Sequence, residues 1–176
     1  MNSRIVAMLA ALAIAIAAPA HAAKTAGDVV DDNTINASIK VALVTNKTTE
    51  AHRINVETYK GVVLLSGFVP EKSSKDAAGK VAAGVKGVTK VHNAITVHPK
   101  TSMGSKMDDT MLVGKVKAAL IDEKGVDAGQ INCEARDSIV QLAGFVTNQA
   151  MKDKALAVAK GVSGVKGVQD ALYVKP

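Results

Sequence analysis

The chain has 176 residues, with 22 Lys/Arg against 16 Asp/Glu and a net charge of +6. Its composition includes two Tyr, two Phe and no Trp, so a core must be assembled from Val, Ala, Leu and Ile. One cysteine, Cys133, excludes an intramolecular disulfide, and the modest positive charge favours anionic partners no more than it serves ordinary solvation.

The first residues carry an export pattern: Arg4, an apolar run from Ile5 to Ala18, and the small-x-small triplet Ala20-His21-Ala22. The apolar run falls short of the roughly 20 residues that span a bilayer as a helix. The expectation is a signal peptide over 1–22, cleaved after Ala22, then a tail over 23–31 and an exported mature chain without a transmembrane span.

From residue 32 the chain is written twice. Residues 32–97 fall on 109–174 at a constant offset of 77, without a gap, and 26 of the 66 positions are identical. A unit of this length present twice reads as two small domains joined by a linker over 98–108, not as a repeat array. The duplication is also an internal control: a residue the fold requires recurs, whereas a residue with a unique role need appear only once. Residues 32–97 carry nine Lys/Arg against five Asp/Glu, and 109–174 carry eight of each, so the excess charge within the modules lies in the first.

Each copy opens with a helix. Ile35, Ile39, Ala42 and Leu43, and then Leu112, Val116, Ala119 and Leu120, form single apolar stripes. Asp31-Asp32 and Asp108-Asp109 suit helix N-termini, and the shared pair Asp32/Asp109 is expected to cap. Alternation of Ile54 and Val56 with Asn55 and Glu57 predicts a strand, and Lys60-Gly61 a turn into a second strand over Val62–Val69. The copies agree on its buried face: Val63, Leu65, Gly67 and Val69 against Val140, Leu142, Gly144 and Val146. The other face, with Val62, Leu64, Ser66 and Phe68 against Ile139, Gln141, Ala143 and Phe145, is expected to be less buried. Gly67 and Gly144 are expected where another backbone approaches closely. A second helix from about Glu71 to Ala83 places Ala78, Val81 and Ala82 inward, and Gly84 and Gly161 stand where a left-handed stop is expected. A third strand carries Val91, Ile95 and Val97, matched by Val168, Leu172 and Val174. The prediction is an α+β chain of two tandem αββαβ modules, each a three-stranded mixed sheet with two helices on one face.

The pattern resembles the BON domain of bacterial envelope proteins. The residues that carry the resemblance are Ile54-x-Val56, Gly61-Val62-Val63-Leu64-Leu65-Ser66-Gly67, Gly84-Val85-Lys86-Gly87-Val88 and Asn93-x-Ile95-x-Val97. The second copy offers Ile139-Val140-Gln141-Leu142-Ala143-Gly144 and Gly161-Val162-Ser163-Gly164-Val165. An export signal ahead of two such modules is similar to osmotically inducible periplasmic proteins of that family. The resemblance implies a periplasmic location and roles in envelope or osmotic stress, phospholipid binding or assistance to exported proteins. It implies nothing about a reaction, because its motifs are fold positions.

The internal control argues against chemistry. His52 matches Gly129, His92 matches Gln169, and no second His or Cys stands at a ligand spacing, so no metal site is expected. No serine lies in a Gly-x-Ser-x-Gly elbow. The shared acids Asp32/Asp109, Glu57/Glu134 and Asp76/Asp153 read as caps, outer strand face and helix surface. Cys133 matches Val56 and is expected to be a core side chain. Gly84-Val85-Lys86-Gly87 has the form of a nucleic-acid clamp, but that loop joins two helices in the clamp fold and a helix to a strand here. No catalytic residue, cofactor or nucleic-acid partner is expected.

What differs between the copies is a set of lysines. Lys72, Lys75, Lys80, Lys86 and Lys90 surround the second helix of module one, where module two has Gln149, Lys152, Ala157, Ser163 and Gly167. They are the candidate surface for anionic phospholipid headgroups. The alternative is a chaperone-like adaptor that holds exported or envelope proteins on the second sheet face, through Val62, Leu64, Phe68, Ile139 and Phe145. The plainer use of that face is to pack the two modules together.

Overall fold

The computed structural model describes residues 31–98 and 103–175, with side chains from Asp108 onward in the second stretch. The expected signal peptide and its cleavage site lie outside these residues. Module one runs α1 (Asp32–Thr45), a 3-10 turn (Ala51–Arg53), β1 (Ile54–Tyr59), β2 (Val62–Val69), α2 (Lys72–Ala83), and a third strand in two pieces, β3 (Lys90–Asn93) and β4 (Thr96–Val97). Module two repeats it as α3 (Met103–Asp122), a 3-10 turn (Ala128–Gln130), β5 (Asn132–Arg136), β6 (Ile139–Val146), α4 (Gln149–Gly161) and β7 (Gly167–Val174).

In each sheet the long strand is central. β2 runs antiparallel to β1 and parallel to β3 and β4. β6 holds the same place between β5 and β7. A hairpin suffices for the first pairing, while the second needs a helical crossover, which α2 and α4 supply. The α+β architecture of two mixed three-stranded sheets is the one the periodicity predicts.

The helices pack on one face of each sheet. In module one Ile35, Ile39 and Leu43 of α1 and Ala78 and Ala82 of α2 meet Val56, Val63, Leu65, Val69 and Ile95. In module two Leu112, Val116, Leu120, Ala155 and Ala159 meet Cys133, Val140, Leu142, Val146 and Leu172. Neither helix-to-sheet core contains an aromatic ring. Alanine on α2 and α4 brings those helices close to the strands.

Gly67 and Gly144 both have positive φ, +117° and +147°. A Cβ at Gly67 would run into the carbonyl oxygen of Arg53, and one at Gly144 into that of Gln130. The chain leaving each 3-10 turn passes directly over the glycine, which is the close approach the sequence predicts.

Three expectations change. Gly84 is right-handed, with φ −82°, and Gly161 is the last residue of α4. The positive φ falls instead on Gly87 and Gly164, in the turn that follows each helix. Asp31 is the residue that caps α1, accepting from the Asn33 N–H. Asp32 braces the hairpin instead, its carboxylate accepting from the backbone N–H of Lys60 and Gly61 at 2.7 and 2.8 Å. Asp109 does the same for Asp137 and Ser138, both at 2.9 Å. Both hairpin turns have positive φ at their two central residues, the tight form that matches strand twist but needs support when the residues are not glycine. The recurrent aspartate is a clamp between helix and hairpin, invisible to local sequence because its partners lie 28 and 29 residues away. Asp109 could not cap in any case, since α3 begins at Met103, within the segment read as linker. Gly104 is the second residue of α3, in the first turn, where a glycine does not stop a helix.

Candidate functional site

On the remaining sheet faces only Val62 and Ile139, at the strand starts, are half-buried; the rest of β2 and β6 is as buried as the helix side, because the two faces are pressed against each other. Leu64, Ser66 and Phe68 of β2 are 0–2% exposed, and Gln141, Ala143 and Phe145 of β6 are 1–8% exposed. Leu64, Ala143, Phe145 and Ala171 form one apolar cluster drawn from both modules, with Tyr59, Val62, Ala94 and Tyr173 against it. Polarity at Ser66 and Gln141 misled the burial reading, because Gln141 is buried by being satisfied. Its Oε1 accepts from the Gly67 N–H at 2.6 Å, and its Nε2 donates to the Ala94 carbonyl and to Thr96 Oγ1 at 2.9 and 3.0 Å. One side chain of module two thus pairs with three groups of module one.

All four Phe and Tyr side chains of the chain stand on these faces. Tyr59 meets Phe145 with ring centroids 5.8 Å apart, His92 stacks on Tyr173 at 3.9 Å, and His98 meets Phe68 edge-on at 6.2 Å. His98 Nδ1 is also 3.6 Å from Asp137. The histidines that looked idle in the sequence are docking residues. Burial, and then the charge of Lys90, holds the His92 imidazole below its usual pKa. The parity of the strands already carried this signal, since Tyr59, Phe68, Phe145 and Tyr173 all fall opposite the helix-facing positions.

The matched acids Glu57 and Glu134 also lie in this region. Glu134 accepts from the Asn55 amide across the interface. The symmetric bond, Asn132 to Glu57, is not made. Glu57 faces a groove of about 900 Å³ between the modules, and burial pushes its carboxyl up to about 7. The groove is lined by α1, the whole of β1, residues 129–132, Phe145 and Lys175. A smaller groove of about 620 Å³ stands at the corresponding place in module two, lined by residues of α3 and β5 with His52, Arg53 and Phe68. His52 and Gly129, like Phe68 and Phe145, are matched positions, so each module closes the other's groove in the same way.

The lysines named from the sequence lie elsewhere. Lys72, Lys80, Lys86 and Lys90 are exposed and Lys75 is half-buried. Lys72, Lys75, Lys80 and Lys86 line α2 and the turn after it, on the helix-covered side of the sheet, whereas Lys90 begins β3 with the parity of His92 and is exposed at the rim of the docked face. Lys72 pairs with Asp76 one helical turn on. Lys75 lacks the partner of its counterpart: Lys152 Nζ pairs with Asp170 at 2.8 Å, where module one has Asn93.

Cys133 is 3% exposed, and burial pushes its thiol up to about 11, so it is an inert core side chain. Among the described residues no His, Cys, Asp or Glu cluster has metal-binding geometry, and no helix is long and apolar enough to cross a membrane.

Compared with known proteins, residues 31–99 and 108–176 each match the model of the BON domain. The chain is 38% identical over 151 residues to osmotically-inducible protein Y of Escherichia coli, across 85% of this chain and 75% of that protein. It is 35% identical over 146 residues to outer membrane lipoprotein DolP of Haemophilus influenzae, across 82% of this chain and 75% of that protein. A solved structure of CdsD, a structural protein of the type III secretion system of Chlamydia trachomatis, aligns with a TM-score of 0.34 and 12% identity. That alignment covers 84% of this chain and 65% of the other.

Proposed function

The chain belongs to the BON-domain family, and on that premise we propose that it is a non-catalytic protein of the bacterial envelope, acting in the periplasm under osmotic stress, that binds phospholipid surfaces peripherally. The names of its relatives, an osmotically-inducible protein and an outer membrane lipoprotein, support the location and the stress. The observation that carries the lipid reading is the exposure of Lys72, Lys80 and Lys86 on a side of module one that docking leaves open, with Lys90 exposed at the rim of the docked face beside them. Each lysine near an anionic surface contributes about 1 kcal/mol. Their attraction is screened within about a Debye length, so binding is salt-sensitive. The chaperone-like alternative loses the surface the sequence offered it, because Leu64 and Phe68 are buried between the modules.

Co-sedimentation with vesicles tests the reading. The intact two-module protein is expected to pellet with phosphatidylglycerol vesicles at low salt and not with phosphatidylcholine vesicles. Replacing Lys80, Lys86 and Lys90 together by alanine is expected to weaken pelleting about 100-fold. Equal recovery on both lipids, or no response to salt, would count against it.

A further inference from the structure

The larger groove has a property that neither lipid binding nor docking uses. β1 is an outer strand of its sheet, with β2 on one side and no described strand on the other. An outer strand presents a row of backbone N–H and C=O groups to whatever lies beside it. Natural edges are shielded by proline, by lysine, by a bulge or by a covering element. Ile54–Tyr59 contains neither proline nor lysine, and its pairing with β2 runs through six consecutive residues without a bulge. Beside it, instead of cover, is the groove of about 900 Å³, which all six residues line.

We propose that β1 takes an extended peptide segment of about six residues as an added strand, with a lysine or arginine of that segment meeting Glu57. A strand of that length spans about 20 Å, the length of β1 itself. Recession decides between a peptide and a folded partner. Leu43 and Val44 of α1 stand on one side of the groove, and residues 129–132 with Phe145 of module two on the other. A single extended chain enters between such walls, whereas the edge of a second folded module brings its own helices. Val44, 75% exposed, gives the incoming strand an apolar contact.

Glu57 supplies the preference for a cation. It is half-buried, lines the groove, and has no hydrogen-bond partner among the described residues, while its counterpart Glu134 is engaged by Asn55. The other titratable groups lining the groove are Lys40 of α1, His52 of the 3-10 turn, Tyr59 of β1 and Lys175 beyond β7. Lys175 is occupied: its Nζ donates to Gln130 at 3.0 Å and lies over the Tyr59 ring. A cation beside Glu57 favours its ionised form, which burial alone opposes. This proposal does not rest on the lipid reading, since vesicles and peptide would use opposite sides of module one.

The test uses fluorescence anisotropy with three labelled octapeptides of alternating Val and Thr. One carries a central lysine, one has norleucine in its place, and one is the lysine peptide N-methylated at alternate residues. The lysine peptide is expected to bind the intact protein, and the N-methylated one to lose at least about tenfold, as strand pairing requires. Glu57→Gln is expected to weaken the lysine peptide about tenfold and to leave the norleucine peptide unchanged within a factor of about 2. Alanine at Lys80, Lys86 and Lys90 should leave all three unchanged. Equal binding of methylated and unmethylated peptides would overturn strand addition. Equal loss of both unmethylated peptides in Glu57→Gln would overturn the role of Glu57. A concentration-dependent dimer that Glu57→Gln or the peptide dissociates would give the edge to a second copy instead.

Discussion

Glu57 and Glu134 occupy matching positions of the two modules and have different lives, because Asn55 reaches one and nothing described reaches the other. For Glu57 the consequence is a pH dependence of stability. Its carboxyl titrates near 7 in the folded protein against an ordinary value of 4.5, so the folded state holds a proton that the unfolded state has released between those values. Stability is therefore fully present below about 4.5 and falls as pH rises through about 7. Discounted for partial exposure, the loss is on the order of 1 kcal/mol. Urea midpoints from pH 5 to 8 should decline in the parent and lose that component in Glu57→Gln. At Gly67 the expectation is larger and independent of pH. Alanine there requires a positive φ and sets its Cβ against a backbone carbonyl that has no room to move. The cost should be about 3 kcal/mol or more in urea unfolding, and the same at Gly144.

At the scale of the element, each first helix is tied to its hairpin by one carboxylate. Asp109→Ala should cost more than Asp32→Ala, about 3 against about 2 kcal/mol by thermal unfolding, for two reasons. Asp109 is 6% exposed, and its turn must hold Ser138 at φ +67° where the first module has Gly61. Both the helix stripes and the chain order of helices and strands were legible in the sequence, because the periods of Ile35-Ile39-Leu43 and of Val63-Leu65-Gly67-Val69 are local and the second copy repeats them. The clamp was not legible, since Asp32 looks like any helix-initiating aspartate until the turn 28 residues later is folded against it. The lysine face lies between these cases. Sequence placed Lys72 through Lys90 around one helix, and the fold leaves four of the five exposed there, but what they meet is a property of the partner.

At the scale of the molecule, the duplication acts twice. Shared residues build each module, and on the second sheet face matched residues such as Phe68 and Phe145 act with unmatched ones to join the modules. Gln141, for which module one has Leu64, is the clearest example, pairing with Gly67, Ala94 and Thr96 across the interface. A polar residue on a strand face reads as exposed in sequence, and only the facing module reveals that its amide is fully used. Gln141→Ala strands the buried Gly67 N–H and should cost about 1–3 kcal/mol. That loss belongs to both modules at once, which makes the docked pair directly measurable. Tyr59 and Tyr173 are the only tyrosines, one in each module, and the chain has no tryptophan to mask them. Tyr173→Phe leaves a fluorophore in module one and Tyr59→Phe leaves one in module two. Urea unfolding of the two variants should give coincident midpoints and slopes, and adding Gln141→Ala to each should lower both midpoints together. Two separated transitions, or a Gln141→Ala shift confined to one fluorophore, would contradict the account of two modules docked sheet to sheet as one folding unit.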